Sequence, residues 1–141
     1  MKHFNKLLLL CSFFFSTFTY AQFTQIGLDI DGEYINDNSG KAVSLNTDGT
    51  ILAIGAPNSS DNLSSAGHVR VYEWSGSAWV QKGSDIDGAN SYDEFGSSLT
   101  LNANGTILAV GAPKNNLSTG HVRIYEWDGN NWVQKGNGIN G

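Results

Sequence analysis

The apolar positions of this chain alternate, and they do so in blocks that return. KAVSLN (Lys41 to Asn46) and SSLTLN (Ser97 to Asn102) put Val43 and Leu45, then Leu99 and Leu101, on one side of an extended chain. TILAIGA (Thr50 to Ala56) and TILAVGA (Thr106 to Ala112) are apolar on both sides, the pattern of a strand covered on both faces. GHVRVYEW (Gly67 to Trp74) and GHVRIYEW (Gly120 to Trp127) alternate again. Val69 and Val71 point one way, and Arg70, Tyr72 and Trp74 the other. A short polar link, SGSA or DGNN, then leads into AWVQKG or NWVQKG. Four strand signals recur in the same order, which predicts an all-β, four-stranded antiparallel meander in each of two units.

The turns fix the register. Asp48-Gly49 and Asn104-Gly105 tolerate positive φ angles and predict two-residue hairpins of type I′. Such a turn sets Leu45 opposite Leu52 and Val43 opposite Ile54, so the apolar sides agree. On the outer pair of strands Trp74 falls opposite Trp79, and Trp127 opposite Trp132. These are cross-strand aromatic neighbours, each pair worth about 0.5–1 kcal/mol beyond burial.

The two units are not quite equal in length. NSSDNLSSA (Asn58 to Ala66) becomes KNNLST (Lys114 to Thr119), and a length change confined to a polar stretch marks a surface loop. A period of roughly 55 residues fits one propeller blade. A single meander leaves two open edges and a bare apolar face, which units stacked around an axis would cover. FTQIG (Phe23 to Gly27) aligns with WVQKG, so it reads as a last-blade strand placed first, ready to close a ring. The expected layout is a signal peptide over 1–21, a last-blade strand and link over 22–39, and a blade over 40–83. An inter-blade link and second blade follow over 84–136, with the start of a further link over 137–141. Two blades are fewer than a ring needs. Further blades in the same chain, or a homo-oligomer, are therefore expected.

The leader reading rests on Lys2, His3 and Lys6 ahead of the apolar run Leu7 to Phe18, and on Thr19-Tyr20-Ala21 before Gln22. It directs the protein to secretion or the cell surface. Removal takes away Cys11, the one cysteine, so an oxidising destination is met without disulfides. It also takes two of the eight Lys and Arg residues, leaving six against thirteen acids, a net charge of −7. That balance disfavours nucleic acid and anionic membrane as partners, and no later segment is apolar enough to span a bilayer.

Asp93-Glu94-Phe95-Gly96, followed by Gly111-Ala112-Pro113, resembles the FG-GAP repeat of integrin-α-type β-propellers, in the form seen in secreted bacterial proteins. The resemblance covers essentially the whole chain after the leader. It implies a non-catalytic propeller segment serving adhesion or ligand binding. The first unit departs from the pattern, with Ser39-Gly40 where Phe-Gly is expected. Many such repeats carry a calcium loop of the D-x-D-x-D-G type between the first two strands. NTDGT and NANGT stand there instead, too few oxygens for calcium.

The remaining candidates are few. Asp85, Asp87, Asp93 and Glu94 form the best calcium candidates, weakened because Gly138 and Asn140 replace the first two in the third copy. His68 and His121 each open a strand, without a second His or a Cys at zinc spacing, and are expected to make a repeated structural hydrogen bond. No nucleophile and base stand in a catalytic motif, so no enzyme and no obligate cofactor are expected. Asn58, Asp61 and Asn62 in one loop, with Lys114, Asn115 and Asn116 in the other, are the candidate partner contacts. Tyr72, Trp74, Tyr125 and Trp127 form a candidate aromatic platform for sugar. The expected partner is a protein or glycan at the cell surface. Two rival readings are a lectin-like module and the repeat region of a larger secreted enzyme.

Overall fold

The computed structural model describes residues 22–141. The expected signal peptide and Cys11 lie outside the described residues. The fold is all-β. Ten strands run in order: β1 (Ala42–Leu45), β2 (Ile51–Ala56), β3 (His68–Trp74), β4 (Trp79–Gln81), β5 (Ile86–Asp87), β6 (Ser98–Leu101), β7 (Ile107–Ala112), β8 (His121–Trp127), β9 (Trp132–Gln134) and β10 (Ile139–Asn140). They form two separate five-stranded antiparallel sheets of the same design. In the first, β1-β2-β3-β4 make a meander and β5 also pairs with β3; in the second, β6, β7, β8 and β9 repeat it and β10 also pairs with β8.

Val43 faces Ile54 and Leu45 faces Leu52, while Leu99 faces Val110 and Leu101 faces Leu108, the register that the turn dipeptides set. The turns themselves differ from the expected two-residue type. Gly49 and Gly105 have positive φ (72° and 70°), but Asp48 and Asn104 do not. The Asn46 N–H closes on the Ile51 carbonyl (3.0 Å), leaving a four-residue loop. The reason lies in the side chains. Asn46 Oδ1 accepts from the Thr50 and Ile51 amides (2.9 Å each), and Asp48 Oδ1 accepts from the Thr50 amide and hydroxyl. Asn102 and Asn104 do the same in the second unit. Short polar side chains that bond nearby amides favour this wider turn.

The edge strand does not stop at Gln81. The Lys82 N–H still donates to the Val71 carbonyl (2.7 Å), and the chain rejoins β3 with Ile86 opposite Val69. Four steps along the edge thus match two along β3, a bulge of two extra residues that carries Asp85. The first residues of the expected inter-unit link therefore belong to the first sheet, as Ile139 and Asn140 belong to the second.

The core lies between the sheets. Ile51, Ala53, Val69 and Val71 on one face meet Leu101, Leu108, Val110 and Tyr125 on the other, all buried. Phe95, fully buried, is wedged between them and meets the Tyr125 ring edge-on, centroids 6.1 Å apart. Its backbone lies on Gly67, and Gly96 lies on Gly55, where a Cβ at either glycine would collide with backbone. Close approach of two main chains is the reason for glycine at those positions. A Leu101 N–H to Ser44 Oγ bond (3.0 Å) and a Thr47 N–H to Ala103 carbonyl bond (3.0 Å) tie the inner strands and turns together.

Candidate functional site

A charged cleft of about 760 Å³ opens at the end of the first sheet where β2 gives way to β3. Three pieces of chain build it: the segment around Glu33 to Asp37, the loop Asn58 to Ser65, and the bulge bearing Asp85. Arg70 rises from β3 into this cleft. Its Nε and Nη2 donate to Asp85 Oδ2 (2.9 and 2.7 Å), and Nη2 also pairs with Glu33 (2.6 Å). Gln81 donates to the other Asp85 oxygen at 2.6 Å. Burial alone would push the Asp85 carboxyl up, but these hydrogen bonds outweigh it and hold its pKa below the usual value. Asp87 moves the other way, raised first by burial and then by the charges of Asp85 and Asp61. Arg70 is raised, chiefly through its bond to Asp85.

His68 opens β3 two residues before Arg70. Its side chain is 5% exposed, and Nδ1 lies 3.3 Å from Asp61 Oδ2 without the geometry of a hydrogen bond. The repeated structural hydrogen bond expected of the two histidines is not made at this nitrogen. Nor is it made at Nε2 of His121, which is also buried without a partner. Burial, then the charge of Arg123, lowers the pKa of His121. The second unit keeps the histidine and arginine but loses the acids. Asn115 stands where Asp61 stood, Gly138 for Asp85 and Asn140 for Asp87.

The four residues grouped as a calcium candidate do not form one site. Asp85 lines the Arg70 cleft, and Asp87 lies opposite His68 where β5 pairs with β3. Asp93, buried, caps a turn: its Oδ2 accepts from the Asn90 amide (3.3 Å) and from Asn115 Nδ2 (2.9 Å). Glu94 pairs with Lys114 at 2.7 Å. The separation follows from the chain path, because the bulge returns Asp85 to the first sheet while Asp93 roots the second unit's loop. The partner-contact residues divide likewise. Asn58 and Lys114 are anchored by backbone bonds to the carbonyls of Asp37 and Asp93 (3.2 and 3.3 Å), whereas Asp61, Asn62 and Asn116 stand exposed.

The tryptophans serve the junction between repeats. Trp74 and Trp79 lie 5.4 Å apart, and Trp127 and Trp132 5.6 Å apart, both pairs tilted. Trp132 Nε1 donates to the Lys82 carbonyl (3.0 Å), and Gly83 lies under the Trp127 ring. Trp79 Nε1 donates to the Ile26 carbonyl (3.2 Å), and Gly27 lies under Trp74. FTQIG thus takes the place of WVQKG at this junction, though without strand pairing. Tyr125 is buried in the core, where burial raises its pKa, and Tyr72 is half-buried. Arg70 with Asp85 was the feature that periodicity alone could not find. The available signal was the contrast between Asp85 and Gly138 at one repeat position.

No protein-family model matches the chain, and no curated protein matches it. Among the described residues no helix is long and apolar enough to cross a membrane.

Proposed function

We propose that the two sheets are blades of an exported, non-catalytic β-propeller of the FG-GAP type. In this reading the protein binds a protein or glycan ligand at the cell surface through the loops Asn58 to Ala66 and Lys114 to Thr119. One observation carries this reading: the outer faces of the pair repeat the two halves of its own interface. Ile51, Ala53, Val69 and Val71 are at most 5% exposed against the second sheet. Their repeat equivalents on the far side of that sheet are Ile107, Ala109, Val122 and Ile124, of which Val122 is 39% exposed. Leu99 and Leu101 are covered in the interface, while their equivalents Val43 and Leu45 are 61% and 55% exposed. Such a molecule offers a head and a tail that fit each other, and contiguous apolar faces of this kind mark an interaction surface.

The departure at Ser39 supports the same reading. Phe95 fills the seam between two sheets, and its counterpart Ser39 stands before the first sheet, with no sheet ahead of it among the described residues. The tryptophan pairs are occupied by glycine of the neighbouring segment, which favours packing over a sugar platform. Light scattering coupled to size exclusion on residues 22–141 tests the stacking. A discrete β-rich oligomer, or concentration-dependent association that Val122→Lys suppresses, is expected. A folded, monodisperse monomer at high concentration overturns it. Beads coated with the protein should adhere to a target cell surface, and should lose adhesion when Ser60 to Ser64 is replaced by a Gly-Ser stretch. Unchanged adhesion would remove the loop assignment.

A further inference from the structure

We propose that Asp61, His68 and Asp85 bind one divalent transition-metal ion of the zinc class at the floor of the charged cleft. His68 Nδ1 and one carboxylate oxygen from each aspartate lie within 4.8 Å of one another. The histidine nitrogen is the decisive group. It is buried, makes no hydrogen bond, and points into the cluster 3.3 Å from Asp61 Oδ2. Four-coordinate zinc has bonds of about 2.0–2.2 Å to nitrogen and oxygen, so neighbouring donors stand about 3.3–3.6 Å apart. The His68 to Asp61 separation already has that value. The other two separations are at most 4.8 Å, so the donors need draw together by roughly an ångström to close on an ion.

Charge and support agree with the donors. Four carboxylates, Glu33, Asp61, Asp85 and Asp87, stand around one guanidinium, Arg70. Arg70 opposes a cation, but it also fixes Asp85 through two bonds to Oδ2, while Gln81 fixes Oδ1. Hydrogen-bonded carboxylates of this kind are the usual supports of a metal ligand. One imidazole with two carboxylates suits zinc, cobalt, nickel or manganese better than calcium, which takes six to eight oxygens. Three protein donors leave a coordination position open toward the cleft. The second unit has a histidine with neither Asp61 nor Asp85 beside it, so one ion per chain is the expected number.

Calorimetric titration of the metal-free protein with zinc chloride, and with calcium chloride separately, tests this. Zinc should bind one ion per chain at micromolar or tighter affinity, and cobalt should give visible bands of a four-coordinate site. Asp61→Asn, on the exposed loop, keeps the fold intact and should weaken zinc at least about tenfold. His68→Asn should abolish the cobalt bands, and His121→Asn should leave both readouts unchanged. Absence of zinc binding at submillimolar concentration overturns the site. So does zinc binding that is insensitive to Asp61→Asn or lost with His121→Asn, and so does calcium bound in preference to zinc.

Discussion

Phe95→Ala is the perturbation on which the interface between the sheets stands or falls. The ring is fully buried, its edge meets Tyr125 at 6.1 Å and 79°, and its backbone N–H donates to the Ala66 carbonyl at 2.9 Å. Truncating a buried phenylalanine costs about 3–5 kcal/mol, because the transfer free energy is lost and a cavity remains. The edge-to-face pair with Tyr125, worth about 0.5–1.5 kcal/mol, places this site in the upper half of that range. Natural domains of this size hold about 5–15 kcal/mol in all. With a urea dependence of about 1–3 kcal/mol per molar, the unfolding midpoint should fall by about 2 M. Equilibrium unfolding followed by circular dichroism and tryptophan fluorescence reads this directly. Phe23→Ala, at a position 97% exposed, is the matched control and should leave the midpoint in place. A fall of less than about 0.3 M in the Phe95 variant, with the slope unchanged, would refute the wedge.

Two further outcomes follow from the geometry. Gly83 has φ +82°, and a Cβ there would lie 2.8 Å from Trp127 Cζ3. Gly83→Ala therefore adds a displaced indole to a backbone cost of about 1–2 kcal/mol, whereas Gly76, with φ +94° and open space around it, bears the backbone cost alone. Equal losses in thermal midpoint for Gly83→Ala and Gly76→Ala would show that the tryptophan clamp contributes nothing. His121 has its folded pKa lowered below the ordinary 6.5. The unfolded chain takes up that proton first, so the contribution is complete above pH 6.5 and is lost as pH falls through the folded value. The urea midpoint should decline between pH 7 and 5.5, and His121→Gln should flatten the decline. An identical slope in the variant would assign it to other groups.

The order and register of the four meander strands were legible in the sequence because alternation and repetition constrain each other, whereas the short fifth strands, β5 and β10, were not. A one-residue slip in β1 would turn Val43 and Leu45 to the wrong face, and the same slip in β6 would turn Leu99 and Leu101. The turn type was not legible, since Asp-Gly and Asn-Gly serve several turns, and the choice here was made by Asn46 and Asn102 reaching forward to amides. The bulge was hidden for a different reason. Gly83-Ser84-Asp85 reads as a polar exit from the sheet, and only the pairing of Ile86 with Val69 shows the strand resuming. The calcium grouping failed at that point, because closeness along the chain placed Asp85 with Asp93 while the bulge placed it with Arg70.

Repetition also explains where individuality can reside. Within the strands, the positions that seal the sheets together must fit two neighbours at once and change by about one methylene, as in Leu99 for Val43, Ile124 for Val71 or Val110 for Ile54. The loop and bulge positions are under no such double constraint, and there the units diverge in charge and in length. Arg70 meets Glu33 and Asp85, whereas Arg123 forms no ion pair among the described residues. One end of the first sheet is thereby anionic around a buried imidazole, and the matching end of the second carries an unpaired guanidinium beside an imidazole held neutral. Two copies of one scaffold thus differ in charge at the matching ends of their sheets. A ligand that engages the first unit's loop meets an anionic end and needs positive charge there, so its binding should weaken as salt rises.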